Sequence, residues 1–329
     1  MNITRLFDQF KNTKVLVLGD IMIDAYFHGK VTRISPEAPV PIVNLADKEQ
    51  RLGGAANVAL NLKALGAEPI ICSIKGNDKA GEELKELCVN NNLLTDGLIN
   101  DHNRVTTVKT RIIGNNTQLL RVDEESTADI DKSVEEFVYQ AVNSFIGSVD
   151  VLIFQDYNKG LLTPALIERV IHLCKEHNVP MIVDPKFDNF YSYQGVNLFK
   201  PNKSELLRAE NINESLSIED VKRLTEKVRK KLNAKKLMTT LSQDGVLIVN
   251  KNEAIHLPAH PRKIVDVSGA GDSVLSLAAL CLAAGVSDEL TAALSNLAGG
   301  IVCEQVGVVP IDKDLLFSEA MELNVSESY

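Results

Sequence analysis

Positive charge is in short supply in this chain: 35 Lys and Arg face 44 Asp and Glu, a formal net charge of −9. A sequence-independent nucleic-acid surface needs clustered cations to displace counterions, so that class is excluded, although local basic patches remain available for phosphate. Long hydrophobic runs are missing as well. The longest uncharged apolar stretch, Ser273 to Ser287, is shorter than the ~20 residues a membrane helix needs. It also contains three serines and a glycine, and reads as a buried helix. Arg5, Asp8 and Lys11 interrupt Met1 to Lys11, which leaves no apolar export segment. Cysteines number only 5. Cys72, Cys88, Cys174, Cys281 and Cys303 are odd in number, widely spaced and set among apolar neighbours, so they read as reduced core residues of a cytoplasmic protein. With 19 glycines, 11 prolines, 45% hydrophobic and 24% charged residues, the composition is neither disordered nor collagenous.

A length of 329 residues permits two domains or one large α/β unit. No internal repeat, low-complexity tract or Pro/Gly/Ser linker divides it, so one domain over 1–329 is expected. Lys14 to Gly19 is a continuous apolar run of the kind a parallel sheet buries on both faces. Similar runs follow at Glu68 to Ile74, Val149 to Phe154, Val179 to Val183, Leu198 to Lys200, Lys236 to Thr240 and Val246 to Val249. Helical patterns lie between them at Ala55 to Leu65, Gly81 to Asn91, Ile130 to Phe145, Pro164 to His177 and Ile218 to Leu232. This alternation predicts a mostly parallel sheet with helices on both faces. Ala25 to Asp47 and Arg104 to Asp123 break the rhythm with β-branched residues. Gly114-Asn115-Asn116 is turn chemistry, so the second stretch is expected to be a hairpin, and the two together a small separate sheet.

The strongest chemical signal is Asp266-Val267-Ser268-Gly269-Ala270-Gly271-Asp272 ahead of an apolar helix. Small residues before a helix let backbone N–H groups converge where the macrodipole is positive, which suits an anion. Asp272 would repel a bound phosphate but suits a general base that takes a hydroxyl proton as the oxygen attacks phosphorus. Packing alone also accounts for a Gly-rich helix start. Leu52-Gly53-Gly54-Ala55-Ala56-Asn57 opens another helix and is weak by itself. The first strand ends Gly19-Asp20-Ile21-Met22, without a dinucleotide fingerprint, and Glu82-Glu83 stands where a P-loop needs Lys-Ser/Thr. A G-x-S-x-G elbow is also absent.

In order and spacing, these two motifs resemble the signatures of the ribokinase family, the PfkB carbohydrate kinases, over nearly the whole chain. Gly19 to Asp24, Arg33 to Pro41, Arg121-Val122-Asp123, Asp156 to Gly160 and Val183 to Lys186 look like the heptose 7-phosphate kinase branch. The resemblance implies a ribokinase-like α/β fold with a small β lid over about 21–47 and 104–122. It implies ATP and Mg²⁺ as cofactors and phosphorylation of the anomeric oxygen of D-glycero-β-D-manno-heptose 7-phosphate. By residue, it implies Asp272 as base and the N–H groups of Gly269, Ala270, Gly271 and Asp272 as holders of the transferring phosphoryl. It further implies Asp24, Gly54 and Asn57 on sugar hydroxyls, with Arg121, Asp123, Asp156 and Lys186 toward the substrate. Asn202 and Glu205 match the segment for nucleotide phosphates and Mg²⁺ water. Thr240, Ser242 and Gly245 match a nucleotide loop that usually carries Gly where Ser242 stands, and Asn296 falls near the adenine edge.

Carboxylates and amides bind paired hydroxyls, which suits Asp24 and Asn57 to a sugar. Arg33, Lys109, Arg111, Arg121, Lys159 and Lys186 are cations available for a distal phosphate. His256 and His260 are separated by Pro258 and are not expected to form a helical metal pair. The chain to Tyr329 has no His-x-Gly-His motif, so no nucleotidyltransferase domain is expected, and adenylyl transfer is assigned to a separate chain. Val105, Val108, Ile112, Leu119 and Val122 lie in a lid too small to bury both faces, so a homodimer with each lid covering the other is expected. Other acceptors, namely another sugar, a nucleoside or a fructose phosphate, stay open, as does a catalytically silent sugar or nucleotide sensor.

Overall fold

In the computed structural model, which describes residues 2–323, helix α1 (Ile3–Phe10) precedes the first apolar run, strand β1 (Lys14–Gly19). Met1 and Tyr329, named above, lie outside the described residues. β2 (Ile21–Ile34) and β3 (Pro41–Gly54) form a long hairpin, followed by α2 (Ala55–Leu65), β4 (Glu68–Gly76), α3 (Lys79–Asn90) and β5 (Leu98–Asp101). A second hairpin, β6 (Val108–Gly114) and β7 (Thr117–Glu124), leads to α4 (Lys132–Ile146), β8 (Val151–Gln155), α5 (Pro164–Glu176), β9 (Met181–Asp184) and β10 (Leu198–Phe199). Then come α6 (Lys203–Ala209), α7 (Ile218–Lys231), β11 (Lys236–Thr240), β12 (Val246–Val249) and β13 (Ala254–Leu257). The described chain closes with α8 (Ala270–Ala284), α9 (Asp288–Cys303) and α10 (Lys313–Met321).

The main sheet runs β13-β12-β11-β10-β9-β8-β1-β4-β5, parallel from β11 to β5, with antiparallel pairing only where β12 meets β11 and β13 meets β12. The period of two in β1 feeds two cores. Leu16 and Leu18 join Val138, Ile167 and Val228 of α4, α5 and α7 on one face, while Val15 and Val17 join Leu62, Leu277 and Leu294 of α2, α8 and α9 on the other. All four β1 side chains are fully buried, each contributing about 1.5–3 kcal/mol by removal from water. The fold is ribokinase-like, as expected. The carboxyl ends of the parallel strands bring Gly19, Gln155 and Asp184 to one rim, the edge where open α/β sheets bind ligands.

The four-stranded lid, β3-β2-β6-β7, extends further than expected, to Gly54 and Glu124. Pairing continues because Leu52, Gly53 and Gly54 are buried against Ile23, Met22 and Ile21. It stops where the positive φ of Gly54 (60°) turns the chain into α2. A Cβ on Gly54 would lie 2.3 Å from the Asp20 carbonyl, so only glycine fits. The predicted hairpin turns on Asn115 and Asn116, both at positive φ (52° and 63°), as a two-residue turn matching strand twist requires. Among the described residues no helix is long and apolar enough to cross a membrane.

Candidate active site

Register gives the lid two unlike faces. Asp24 and Tyr26 of β2 lie beside Arg51 and Glu49 of β3, Lys109 and Arg111 of β6, and Asp123 and Arg121 of β7. Ile23, Ala25, Leu52 and Val108 lie on the opposite face, packed toward α3. On the polar face Arg111 reaches Asp24 at 2.5 Å, Lys109 bridges Asp123 and Glu125 at 2.9 Å each, and Arg121 donates to Asp123 at 2.9 Å. Arg51 donates to the Val308 carbonyl at 3.1 Å, tying the lid to the segment after α9. Asp24 is 5% exposed at the lid root, and Gly53 lies so close that a Cβ there would meet its Oδ2.

Asp272 stands in the first turn of α8, after Gly269 at φ 81°. Its oxygens accept from Asn57 Nδ2 (2.6 Å), Gln155 Nε2 (3.1 Å) and the Tyr157 hydroxyl (3.1 Å). Burial pushes its carboxyl up to about 6 from an ordinary 3.8, although the Asn57 and Tyr157 hydrogen bonds oppose the rise. A group poised near neutrality has the protonation behaviour a general base requires. Of the four amides expected to hold the phosphoryl, those of Ala270 and Asp272 bond Val267 O (3.3 Å) and Gly269 O (3.1 Å) within the turn. The amides of Gly269 and Gly271 have no acceptor among the described residues.

Beside this turn opens a cavity of about 740 Å³. Asn202, Thr240, Ser242, Gly245 and Asn296, all expected at the nucleotide, line it together with Gly271. Ser242 occupies the left-handed region (φ 54°), which explains why a related loop would prefer glycine there. Asn202 caps α6 in a capping box with Glu205. The Glu205 carboxylate also takes Lys186 Nζ at 2.5 Å, so Lys186 stands by the nucleotide-phosphate segment as well as over the Tyr157 ring (5.5 Å). Burial alone would lower Lys186, but the Asp184 and Glu205 carboxylates outweigh it and push it up. Arg262 closes the cavity's far wall, paired with Glu304 at 3.1 Å and with Glu319, and lies over Gly300, where a Cβ would meet its Nε.

Asp156, expected toward the substrate, is held by groups of the protein. It is 1% exposed, and its oxygens take the Asn158 amide (2.8 Å) and the Tyr193 hydroxyl (2.7 Å), so it braces the loop behind the site. The structure also brings in four residues that were not expected at the site, Gln155, Tyr157, Asp20 and Asn61. Gln155 and Tyr157 hold Asp272. Asp20 accepts the Tyr157 and Lys159 amides (2.8 and 3.2 Å) and is pushed up to about 7 by burial and by the Asp156 charge. Asn61 joins α2, α8 and the last loop by accepting from Ser273 Oγ (2.8 Å) and the Ile311 amide (3.0 Å). Of these, Asp20 and Tyr157 carried a sequence signal, within the Gly19 to Asp24 and Asp156 to Gly160 motifs.

Residues 12–314 match the model of the pfkB family carbohydrate kinases. "Bifunctional protein HldE" of Desulfatibacillum aliphaticivorans is 40% identical over 305 residues, 92% of this chain and 62% of that protein. The protein of the same name from Sulfurimonas denitrificans is 38% identical over 89% of this chain and 61% of its own length. The chain thus spans less than two thirds of these relatives. Among solved structures, phosphofructokinase-2 from Escherichia coli in complex with fructose-6-phosphate superposes with a TM-score of 0.77 at 19% identity, covering 94% of this chain and 99% of that one. Arabidopsis thaliana ribokinase complexed with ribose and ATP gives 0.72 at 16% identity, over 95% and 100%. The chain belongs to the pfkB family of carbohydrate kinases, phosphotransferases that act on a sugar hydroxyl.

Proposed function

We propose that this chain transfers the γ-phosphoryl of ATP to the anomeric hydroxyl of D-glycero-β-D-manno-heptose 7-phosphate, giving the 1,7-bisphosphate and ADP. The observation that carries the reading is the position of Asp272, a buried carboxylate raised to about 6, beside the Gly269 turn and hydrogen-bonded to Asn57. Asp272 takes the hydroxyl proton while the sugar oxygen bonds to phosphorus and the bond to ADP breaks. The open amides of Gly269 and Gly271 face the anion, Asp24 and Asn57 serve the sugar hydroxyls, and the cavity at Asn202 to Asn296 takes the nucleotide. Both Glu205 oxygens already have donors, Lys186 Nζ and the Asn202 amide, so Glu205 fits Mg²⁺ through water better than by direct ligation. When bound, Mg²⁺ neutralises charge on the phosphates.

The acceptor's own phosphate suits the lid face of Lys109, Arg111 and Arg121. Its binding energy orients the anomeric hydroxyl for in-line attack. The exposed apolar residues Leu45, Leu120 and Val122 support a homodimer in which each lid covers the other. Kinetics of ADP release across sugars and sugar phosphates test the reading. Heptose 7-phosphate is expected to give by far the highest kcat/KM, with neutralisation of Arg121 narrowing its lead over unphosphorylated heptose. Equal kcat/KM for the two sugars defeats the distal-phosphate assignment, and an inert panel supports a sensor.

A further inference from the structure

Three uncharged side chains converge on Asp272, and they load its two oxygens unequally. Oδ1 accepts from both Gln155 and Tyr157, Oδ2 from Asn57 alone. Each carboxylate oxygen offers about two acceptor positions, so Oδ1 is filled and the open position is on Oδ2. The two Oδ1 donors are firmly seated. Tyr157 is fixed by its amide to Asp20 Oδ2 (2.8 Å) and by Lys186 beside its ring. Gln155 ends β8 against Gly19, where a Cβ would lie 2.7 Å from the Gln155 Cβ, and it is 1% exposed.

The Gln155 amide also leaves its Oε1 buried and without a partner among the described residues. Such an orphan acceptor disfavours the fold, and an apolar side chain of the same shape would avoid it. The presence of an amide here therefore points to the work of its other end, the Nε2 donor on Asp272. We propose that Gln155 and Tyr157 are positioning residues that occupy Oδ1 of Asp272 and so reserve Oδ2 for the proton of the attacking hydroxyl. The proposal rests on the reading of Asp272 as the base.

The Tyr157 hydrogen bond favours the ionised carboxylate, against the burial that raises it, and a donor on the same oxygen from Gln155 acts in the same sense. The charges that also act on Asp272 are Asp184, which ends β9, and Lys200, which follows β10; Lys186 feels the Asp272 charge in turn. Neither Tyr157→Phe nor Gln155→Met changes any of these charges. The test is the pH profile of kcat for both variants, with saturating Mg·ATP and the sugar phosphate that the wild type uses best. Loss of the Tyr157 hydroxyl is expected to move the acid-side midpoint up by about one pH unit. The kcat then falls about tenfold well below the midpoint and little above it, with KM for ATP unchanged. Gln155→Met is expected to shift the same way. If it does not fold, Tyr157→Phe, which removes one hydroxyl, decides alone. A midpoint that stays in place, whether kcat is unchanged or lowered uniformly, overturns the proposal. Asp272→Asn measured alongside keeps the two readings apart: an inactive Asp272→Asn with an unshifted Tyr157→Phe refutes the clamp alone, and an active one refutes the base itself.

Discussion

On one side of Asp272 lies a cavity of about 740 Å³ bordered by small and apolar residues, with Ile264 and Val267 more than half exposed toward it. On the other lies a lid face where Lys109, Arg111 and Arg121 each already have a carboxylate partner. The cavity offers shape, fixed by glycine positions such as Gly245, whose Cβ would meet the Leu257 carbonyl at 2.0 Å. Its lining includes one ion-paired side chain, Arg262 with Glu304 and Glu319, at one wall, so the proposed nucleotide base would meet mainly uncharged groups. The proposed sugar phosphate at the lid would instead exchange partners with existing pairs, for example Arg111 with Asp24. Affinity on the lid side should therefore fall with salt, because partly exposed ion pairs and phosphate contacts are screened, while nucleotide-base affinity changes less.

The largest effect is expected at Asp272, the group between the two halves. Asp272→Asn keeps the side-chain shape but cannot accept the proton, so kcat should fall ~10²-fold or more while ATP affinity is retained. Near-wild-type kcat would remove Asp272 from the mechanism, and lost ATP binding would mean the halves are not separable. Next in size is the lid. Leu120 is 56% exposed on the lid's apolar side, and Leu120→Glu places a charge in the proposed interface. Burying an unpaired charge costs about 3–5 kcal/mol, which weakens the dimer ~10²-fold or more. Light scattering should show dissociation together with lost activity. A wild type that is monomeric at micromolar concentration contradicts the lid-to-lid arrangement.

The smallest effect concerns Asp20, which braces the loop beneath both halves. Burial first, and the Asp156 charge second, raise its carboxyl to about 7 from 3.8. The native state therefore holds this proton more tightly than the unfolded chain. The group's stabilising contribution is complete below about pH 4 and is lost as pH rises through about 7. Asp20→Asn has no charge to bury, and its single carbonyl can still accept the Tyr157 and Lys159 amides that Oδ2 now takes. Its stability relative to wild type should rise between pH 5 and pH 8 by on the order of a few kcal/mol. A difference independent of pH, read from thermal unfolding at the two values, would show that Asp20 does not titrate in this range.

Much of this arrangement was legible in the sequence because the signals were local. Apolar runs marked the parallel strands, Asn115-Asn116 marked the lid turn, and Gly269 to Asp272 marked the helix start that carries Asp272. The residues that the family resemblance assigned to a nucleotide, Asn202, Thr240, Ser242, Gly245 and Asn296, line one cavity. Single polar residues at strand ends were harder to read, because their partners lie far along the chain. Gln155 meets Asp272 across 117 residues, and Asn61 meets the Ile311 amide across 250. The direction of Asp156 was hidden for a related reason, since Tyr193, the buried hydroxyl that takes its Oδ2, belongs to an irregular segment between β9 and β10. Short β9, β10 and β12 were read from continuous apolar runs, whereas α1, β5 and β13 are interrupted by polar or charged residues and gave no such run.

Phosphorus NMR of the reaction products tests the proposed transfer of the phosphoryl group to the anomeric oxygen of a sugar phosphate. With Mg·ATP and heptose 7-phosphate, one new anomeric phosphate is expected to appear for each ADP formed, while the 7-phosphate signal persists. Formation of ADP with inorganic phosphate alone, or of a phosphate ester at another carbon, would contradict it.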